Sequence, residues 1–313
     1  MGSSPFARSS IFFILFSVLS TLTDTCLATR KLTSLYQPPS TTVTYHNGDL
    51  LEGDIPVSIL WYGKFSPTQK SIVVDFLLSL DPKHKQTAVN SPSVSRWWNI
   101  VRTYSKKAGK RETRLVLSKQ VSDDDCSAGK LLKKSEITNL ARRLINAKPG
   151  WLTMILTAQD VAVEGFCMSN CGFHGSESEN KSVFLWVGNS VAQCPGQCAW
   201  PFHQPIYGPQ TEPLGAPNGD VGVDGMIVTI ASLLAGAVTN PFGNGYFLGS
   251  ADAPLEAASA CSGVYGKGAY PGYAGEVLVD SSTGASYNSV GVNGRKYMLP
   301  GLFDPISSQC STV

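Results

Sequence analysis

The apolar positions of this chain keep two different rhythms. Val57-Ser58-Ile59-Leu60-Trp61-Tyr62 is rich in β-branched and aromatic residues and predicts a strand, after which Ser66-Pro67 supplies a cap and a first-turn proline. Ile72, Val73, Phe76, Leu77 and Leu80 then recur at helical spacing until Asp81-Pro82 stops them. The same spacing predicts a second helix from about Ser93, with Val94, Trp97, Trp98, Val101 and Tyr104 on one side. A third is expected from Ser135 to Ala147, capped by Ser135, with Ile137, Leu140, Ala141, Leu144 and Ile145 on its apolar face and Lys148-Pro149-Gly150 ending it. A strand is expected at Arg114–Leu117. The nearly continuous apolar runs Trp151–Thr157 and Val183–Val187 predict central strands covered on both faces.

Strands alternating with helices predict an α/β or α+β layered domain, its central, mostly buried sheet flanked by helices. Beyond Asp220 the rhythm changes. Residues 224–238 read as a buried helix, and the rest is a glycine-rich third with aromatic residues, short strands such as Glu276–Asp280 and turns such as Asn293-Gly294.

The amino end departs from both rhythms. Arg8, the apolar run Ile11–Leu19 and the close on Cys26-Leu27-Ala28 read as a cleavable signal peptide over residues 1–28. The run is broken by Ser17, Ser20, Thr21 and Asp24, short of the ~20 apolar residues a membrane span needs. Residues 29–45 read as a polar, proline-containing extended arm, and residues 46–313 as the folded domain. No later stretch reads as a span, so the expectation is a secreted extracellular protein.

Charge excludes little. With 25 basic and 23 acidic residues the balance is nearly even, and the cluster Lys106-Lys107-Ala108-Gly109-Lys110-Arg111 lacks the interleaved aromatics of a nucleic-acid surface. No nucleic-acid partner is expected.

The cysteines say more. Loss of Cys26 with the signal leaves Cys126, Cys167, Cys171, Cys194, Cys198, Cys261 and Cys310, an odd set that predicts three disulfides and one free thiol or intermolecular bridge. Cys167, Cys171 and His174, with Cys194, Cys198 and His203, also form a zinc-type ligand set, which the oxidising compartment makes the weaker alternative. His46 and His84 read as exposed. Asn180-Lys181-Ser182 is a glycosylation sequon in a polar loop.

No residues select themselves for catalysis. There is no Gly-x-Ser-x-Gly elbow. Glu52, Asp54, Asp220 and Asp224 are candidate carboxylates with no distinguishing spacing, and Asp123-Asp124-Asp125 lacks the pattern of a calcium loop. Exposed-looking Tyr265, Tyr270 and Tyr273 allow a polysaccharide-binding alternative. No cofactor is expected.

Several longer strings remain: Leu60-Trp61-Tyr62-Gly63, Cys171-Gly172-Phe173-His174, Cys194-Pro195-Gly196-Gln197-Cys198-Ala199-Trp200-Pro201-Phe202, Ala216-Pro217-Asn218-Gly219-Asp220, Asp224-Gly225-Met226 and Val238-Thr239-Asn240-Pro241-Phe242-Gly243. Together they resemble the plant EXORDIUM, or phosphate-induced protein 1, family from about Tyr45 to the end. The resemblance implies an apoplastic or cell-wall protein of brassinosteroid-dependent growth, cell expansion and carbon status, with a wall or cell-surface partner and no attached reaction. It also implies a degenerate zincin-like scaffold. A segment of secreted bacterial relatives resembles a zincin helix, where His residues four apart share a face and bind one metal beside a Glu base. The corresponding positions here are Ser232, Leu233 and Gly236, none a usual ligand or base.

Overall fold

The strand–helix rhythm closes into a layered α/β fold. The computed structural model describes residues 42–83, 92–145, 149–168, 170–177 and 181–313, so the signal segment, His84 and Asn180 lie outside the described residues. In chain order the principal elements are β1 (Asp54–Tyr62), α1 (Pro67–Ser79), α2 (Val94–Lys107), β2 (Arg114–Asp123), α3 (Lys134–Ile145), β3 (Leu152–Thr157), β4 (Gly172–Ser176), β5 (Val183–Gly188) and α4 (Val221–Thr239).

Five strands form one sheet in the order β2-β1-β3-β5-β4. Four run parallel, with Val57 opposite Leu152 and Leu152 opposite Val183. The edge strand β4 is antiparallel to β5, Gly172 lying opposite Val187. The central strands β3 and β5 are buried at every position, as their unbroken apolar sequence requires, whereas β2 at the far edge is mostly half-buried or exposed. Helices α1, α2 and α4 cover one face and α3 the other.

Local chemistry sets the helix starts. Ser66 and Gln69 form a reciprocal capping box at α1, with bonds of 3.2 and 3.0 Å, and Pro67 begins the first turn. Ser93 caps α2 through the Arg96 N–H. Asp220 caps α4 through the Val223 N–H at 3.0 Å, and its second oxygen accepts from Gln69 Nε2 at 2.9 Å, joining the starts of α1 and α4. The third helix differs from expectation. It begins at Lys134, so Ser135 lies inside it, and Glu136 reaches back to the Lys133 N–H.

Helix α4 corrects the reading that no later stretch is long and apolar enough to span a membrane. Its 19 residues have a mean hydropathy of 1.9, enough on length and composition. Most of it is buried against the sheet and the other helices, which accounts for that composition. The folded part also begins earlier than expected. Thr44–Tyr45 pairs with Tyr246–Phe247, Tyr45 stacks on Tyr246 at 4.7 Å, and the exposed His46 stacks on Phe247 at 3.8 Å.

The glycine-rich third has strands of two or three residues. It is tied to the layered part by side-chain donors. Trp97 Nε1 donates to Pro300 O at 2.7 Å, Tyr297 Oη to Ile72 O at 3.0 Å and Tyr104 Oη to Phe303 O. Inside it, buried Asn288 donates to the carbonyls of Tyr265 and Leu299 and accepts from the Leu299 N–H.

Candidate functional site

The cysteine clusters staple the sheet edge. Cys167 pairs with Cys194 and Cys171 with Cys198, two bridges of equal span, and Cys261 pairs with Cys310. Cys194 and Cys198 stand four apart around the one-turn helix Pro195–Cys198, so both sulfurs meet a partner on one side. Disulfide sulfurs offer no thiolate, and His203 is exposed on the Gln204 carbonyl, so the zinc alternative for these six residues gives way. Cys126 is the free cysteine among the described residues. It is buried, which pushes its thiol pKa up and suits an inert thiol rather than an intermolecular bridge.

Strand β4 was not legible in the sequence, because glycines and cysteines hide its alternation. Alternation puts Phe173 on one face, against Phe184 and Trp186, and Gly172 and His174 on the other. That second face meets α4. A Cβ on Gly172 would stand 2.8 Å from Leu233 Cδ1, and one on Gly236 would stand 3.0 Å from His174 Nε2 and 2.0 Å from Glu256 Oε2. Glycine at 236 leaves the room in which those two side chains meet.

His174 Nε2 lies 2.8 and 3.0 Å from the two oxygens of Glu256, and Asn240 Nδ2 donates to Glu256 Oε1 at 2.8 Å. Both partners are mostly buried, 14% and 13% exposed. His174 Nδ1 has no hydrogen-bond partner among the described residues, while Nε2 faces a carboxylate, which only accepts, and therefore donates to it. Asn240 also ends α4 by accepting the Gly245 N–H at 2.8 Å. Edge strand, core helix and carboxyl-terminal third converge on this pair.

The positions named from the sequence sit along this contact. Ser232 Oγ donates to the Val228 carbonyl at 3.0 Å, Leu233 lies against Gly172, and Gly236 faces the His174–Glu256 pair. A zinc here would need a donor beyond His174 and Glu256. Among the described residues no three His, Cys, Asp or Glu side chains converge, so the residues present do not fit a zinc site.

The candidate carboxylates are each engaged elsewhere. Glu52 accepts the Arg111 N–H, Asp54 pairs with Arg114, and Asp220 caps α4. Asp224 is buried beneath Asn218, whose N–H and Nδ2 donate to it at 2.8 and 2.6 Å. Burial dominates those bonds and pushes its carboxyl up to about 7. Asn218 in turn accepts from Arg295, which pairs with Asp75 at 2.8 Å and links α1, α4 and the carboxyl-terminal third.

A second feature lies beyond the disulfide staple. Residues 200–209 and 262–272 contribute the walls of an open groove of about 600 Å³, among them Trp200, Tyr207, Pro209, Tyr270 and Pro271. Tyr270-Pro271-Gly272-Tyr273 is a tight turn closed by 3.1 and 2.8 Å backbone bonds, with proline first and glycine second at φ 89°, as a type II turn requires. It presents two rings 5.1 Å apart. Tyr207 and Tyr270 are 86% and 64% exposed, whereas Tyr265 is buried against Trp200, contrary to expectation.

Residues 43–313 match the family model described as the phosphate-induced protein 1 conserved region. The chain belongs to that family. It is 53% identical to protein PHOSPHATE-INDUCED 1 of Nicotiana tabacum over 98% of this chain and 99% of the relative. It is 50% identical to protein EXORDIUM of Arabidopsis thaliana over 97% and 99%, and 49% identical to EXORDIUM-like 1 of the same plant over 96% and 97%. No solved structure matches. For this member of the EXORDIUM and phosphate-induced protein 1 group, the long strings found in the sequence correspond to structural joints: the disulfide staple, the Asn218–Asp224 link and the Asn240 helix stop.

Proposed function

We infer that this is a secreted, non-catalytic protein of the plant apoplast and cell wall that serves brassinosteroid-dependent growth and cell expansion through a wall or cell-surface partner. The observation that carries the non-catalytic reading is the His174–Glu256 pair, which fills the space a side chain at position 236 would need. A degenerate zincin-like scaffold is consistent with the same region. A long core helix runs beneath an antiparallel edge strand, and its position 236 faces a histidine and a carboxylate. The signal-peptide reading of residues 1–28, the three disulfides and the sequon at Asn180 support export.

Complementation tests the function. In plants lacking the gene, the full chain restores brassinosteroid-dependent elongation, and the protein recovered from apoplastic fluid begins at Thr29. A version lacking residues 1–28 does not restore it. Restoration by that cytosolic version would overturn the reading.

A further inference from the structure

The groove beyond the staple is a built surface with no part in the His174–Glu256 contact. Its lining holds aromatic rings, prolines, glycines and the small residues Ser262 and Ala269, with no Asp, Glu, Lys, Arg or His among the described residues that form it. Tyr207 is one of the most exposed large apolar side chains described, and Tyr270 lines the same groove. Exposed rings gathered along one groove mark an interaction surface. Two of these rings stand on fixed supports. Tyr270 is fixed by the Pro-Gly turn, Thr211 Oγ1 ties that turn to the facing segment by donating to Gly272 O at 2.9 Å, and Trp200 rests on buried Tyr265. A preformed aromatic surface loses little conformational entropy when it binds.

Trp200 and Gly272 also line a smaller cleft whose walls include Tyr273, Thr211, Glu212 and His203, so the uncharged aromatic stretch adjoins hydrogen-bonding groups. An uncharged wall selects an uncharged ligand. Flat apolar faces followed by polar groups match a chain whose rings offer C–H faces and whose edges offer hydroxyls.

We propose that this groove binds a neutral oligosaccharide chain, with Trp200, Tyr207 and Tyr270 as stacking platforms and the Tyr273–Glu212 end taking hydroxyl groups. The inference goes beyond the functional reading above, since binding by purified protein is independent of where the protein acts. The wall setting only suggests the source of such a chain.

Affinity electrophoresis and titration calorimetry of the full mature protein test it, using soluble neutral glucan and xyloglucan, polygalacturonate and a polyproline peptide as probes. The expected result is retardation by a neutral glycan that persists at high salt and weakens about tenfold for each of Tyr207→Ala and Tyr270→Ala. Leu131→Ala, which removes an exposed apolar side chain from a different surface, leaves binding unchanged. Both tyrosines are exposed, so these variants keep the fold, and unchanged circular dichroism verifies it. Absence of retardation by every neutral glycan overturns the proposal. So does retardation indifferent to both tyrosine variants, salt-sensitive binding to polygalacturonate alone, or binding to polyproline alone.

Discussion

The sheet half and the carboxyl-terminal third of this protein are stabilised by different means. In the sheet half, β3 and β5 are buried at every position and Trp61, Trp97, Trp98 and Trp186 have almost no exposure, so area removed from water dominates. The third after Asn240 has strands too short to stabilise themselves. There the Cys261–Cys310 bridge, the three bonds of Asn288 and the anchors from Trp97, Tyr104 and Tyr297 add to the burial of Tyr297, Leu299 and Leu302 in the shared core. The lesson is a division of labour: the layered half provides a rigid base, and the turn-rich third, with the disulfide-stapled segment beside it, carries the exposed rings.

Substitution in the sheet has the largest expected effect. Trp186→Ala is expected to cost about 4 kcal/mol and to lower amide protection across all five strands, while Asn288→Ala costs about 2 kcal/mol and loosens chiefly residues 262–301. Hydrogen exchange read against urea unfolding checks both. Equal, global loss from the two substitutions would erase the distinction.

The link between the halves has a pH dependence. Asp224 has its folded pKa raised from 3.8 to about 7 by burial, so between these values the unfolded chain binds fewer protons than the folded one. Stability contributed by the protonated carboxyl is therefore complete below about 4 and falls as pH rises to about 7, by about 4 kcal/mol. In Asp224→Asn the slope disappears, and overall stability drops because the new amide faces the two Asn218 donors. A melting series across that pH range is the check. A slope unchanged in the variant would assign it to another group.

A smaller effect sharpens the contact between α4 and β4. In an ordinary helix interior, alanine in place of glycine stabilises by about 1 kcal/mol. Gly236→Ala is expected to destabilise by about 1 kcal/mol, because its methyl group displaces Glu256 from His174. Thermal denaturation reads the sign directly, and a gain in stability would show that the pair yields without cost.

These features differ in how far the sequence exposes them. Burial on both faces leaves unbroken apolar runs, so β3 and β5 are legible, and so are α1 and α2 with their serine caps. The start of α3 is not, since Glu136 binds the Lys133 N–H in place of a serine cap. Strand β4 escapes because its glycines serve close approach to α4 and its partner strand rather than hydrophobic alternation. Cysteine counting gives three bridges and one thiol, while pairing requires the one-turn helix that aligns Cys194 with Cys198. The site is harder still. His174, Gly236 and Glu256 are joined across 82 positions of sequence, and no local pattern announces a carboxylate at 256 as the partner of a strand histidine. The buried Tyr265 and exposed Tyr270 are both tyrosines in glycine-rich surroundings, and only packing separates them.

The His174–Glu256 pair fills the space beside Gly236 that a longer side chain there would need, and the proposed non-catalytic function rests on it. Zinc content of the purified mature protein after exhaustive dialysis, measured by mass spectrometry, tests it most directly. No stoichiometric zinc is expected, even after incubation with excess metal. One zinc per chain surviving dialysis and lost on Glu256→Ala would contradict it.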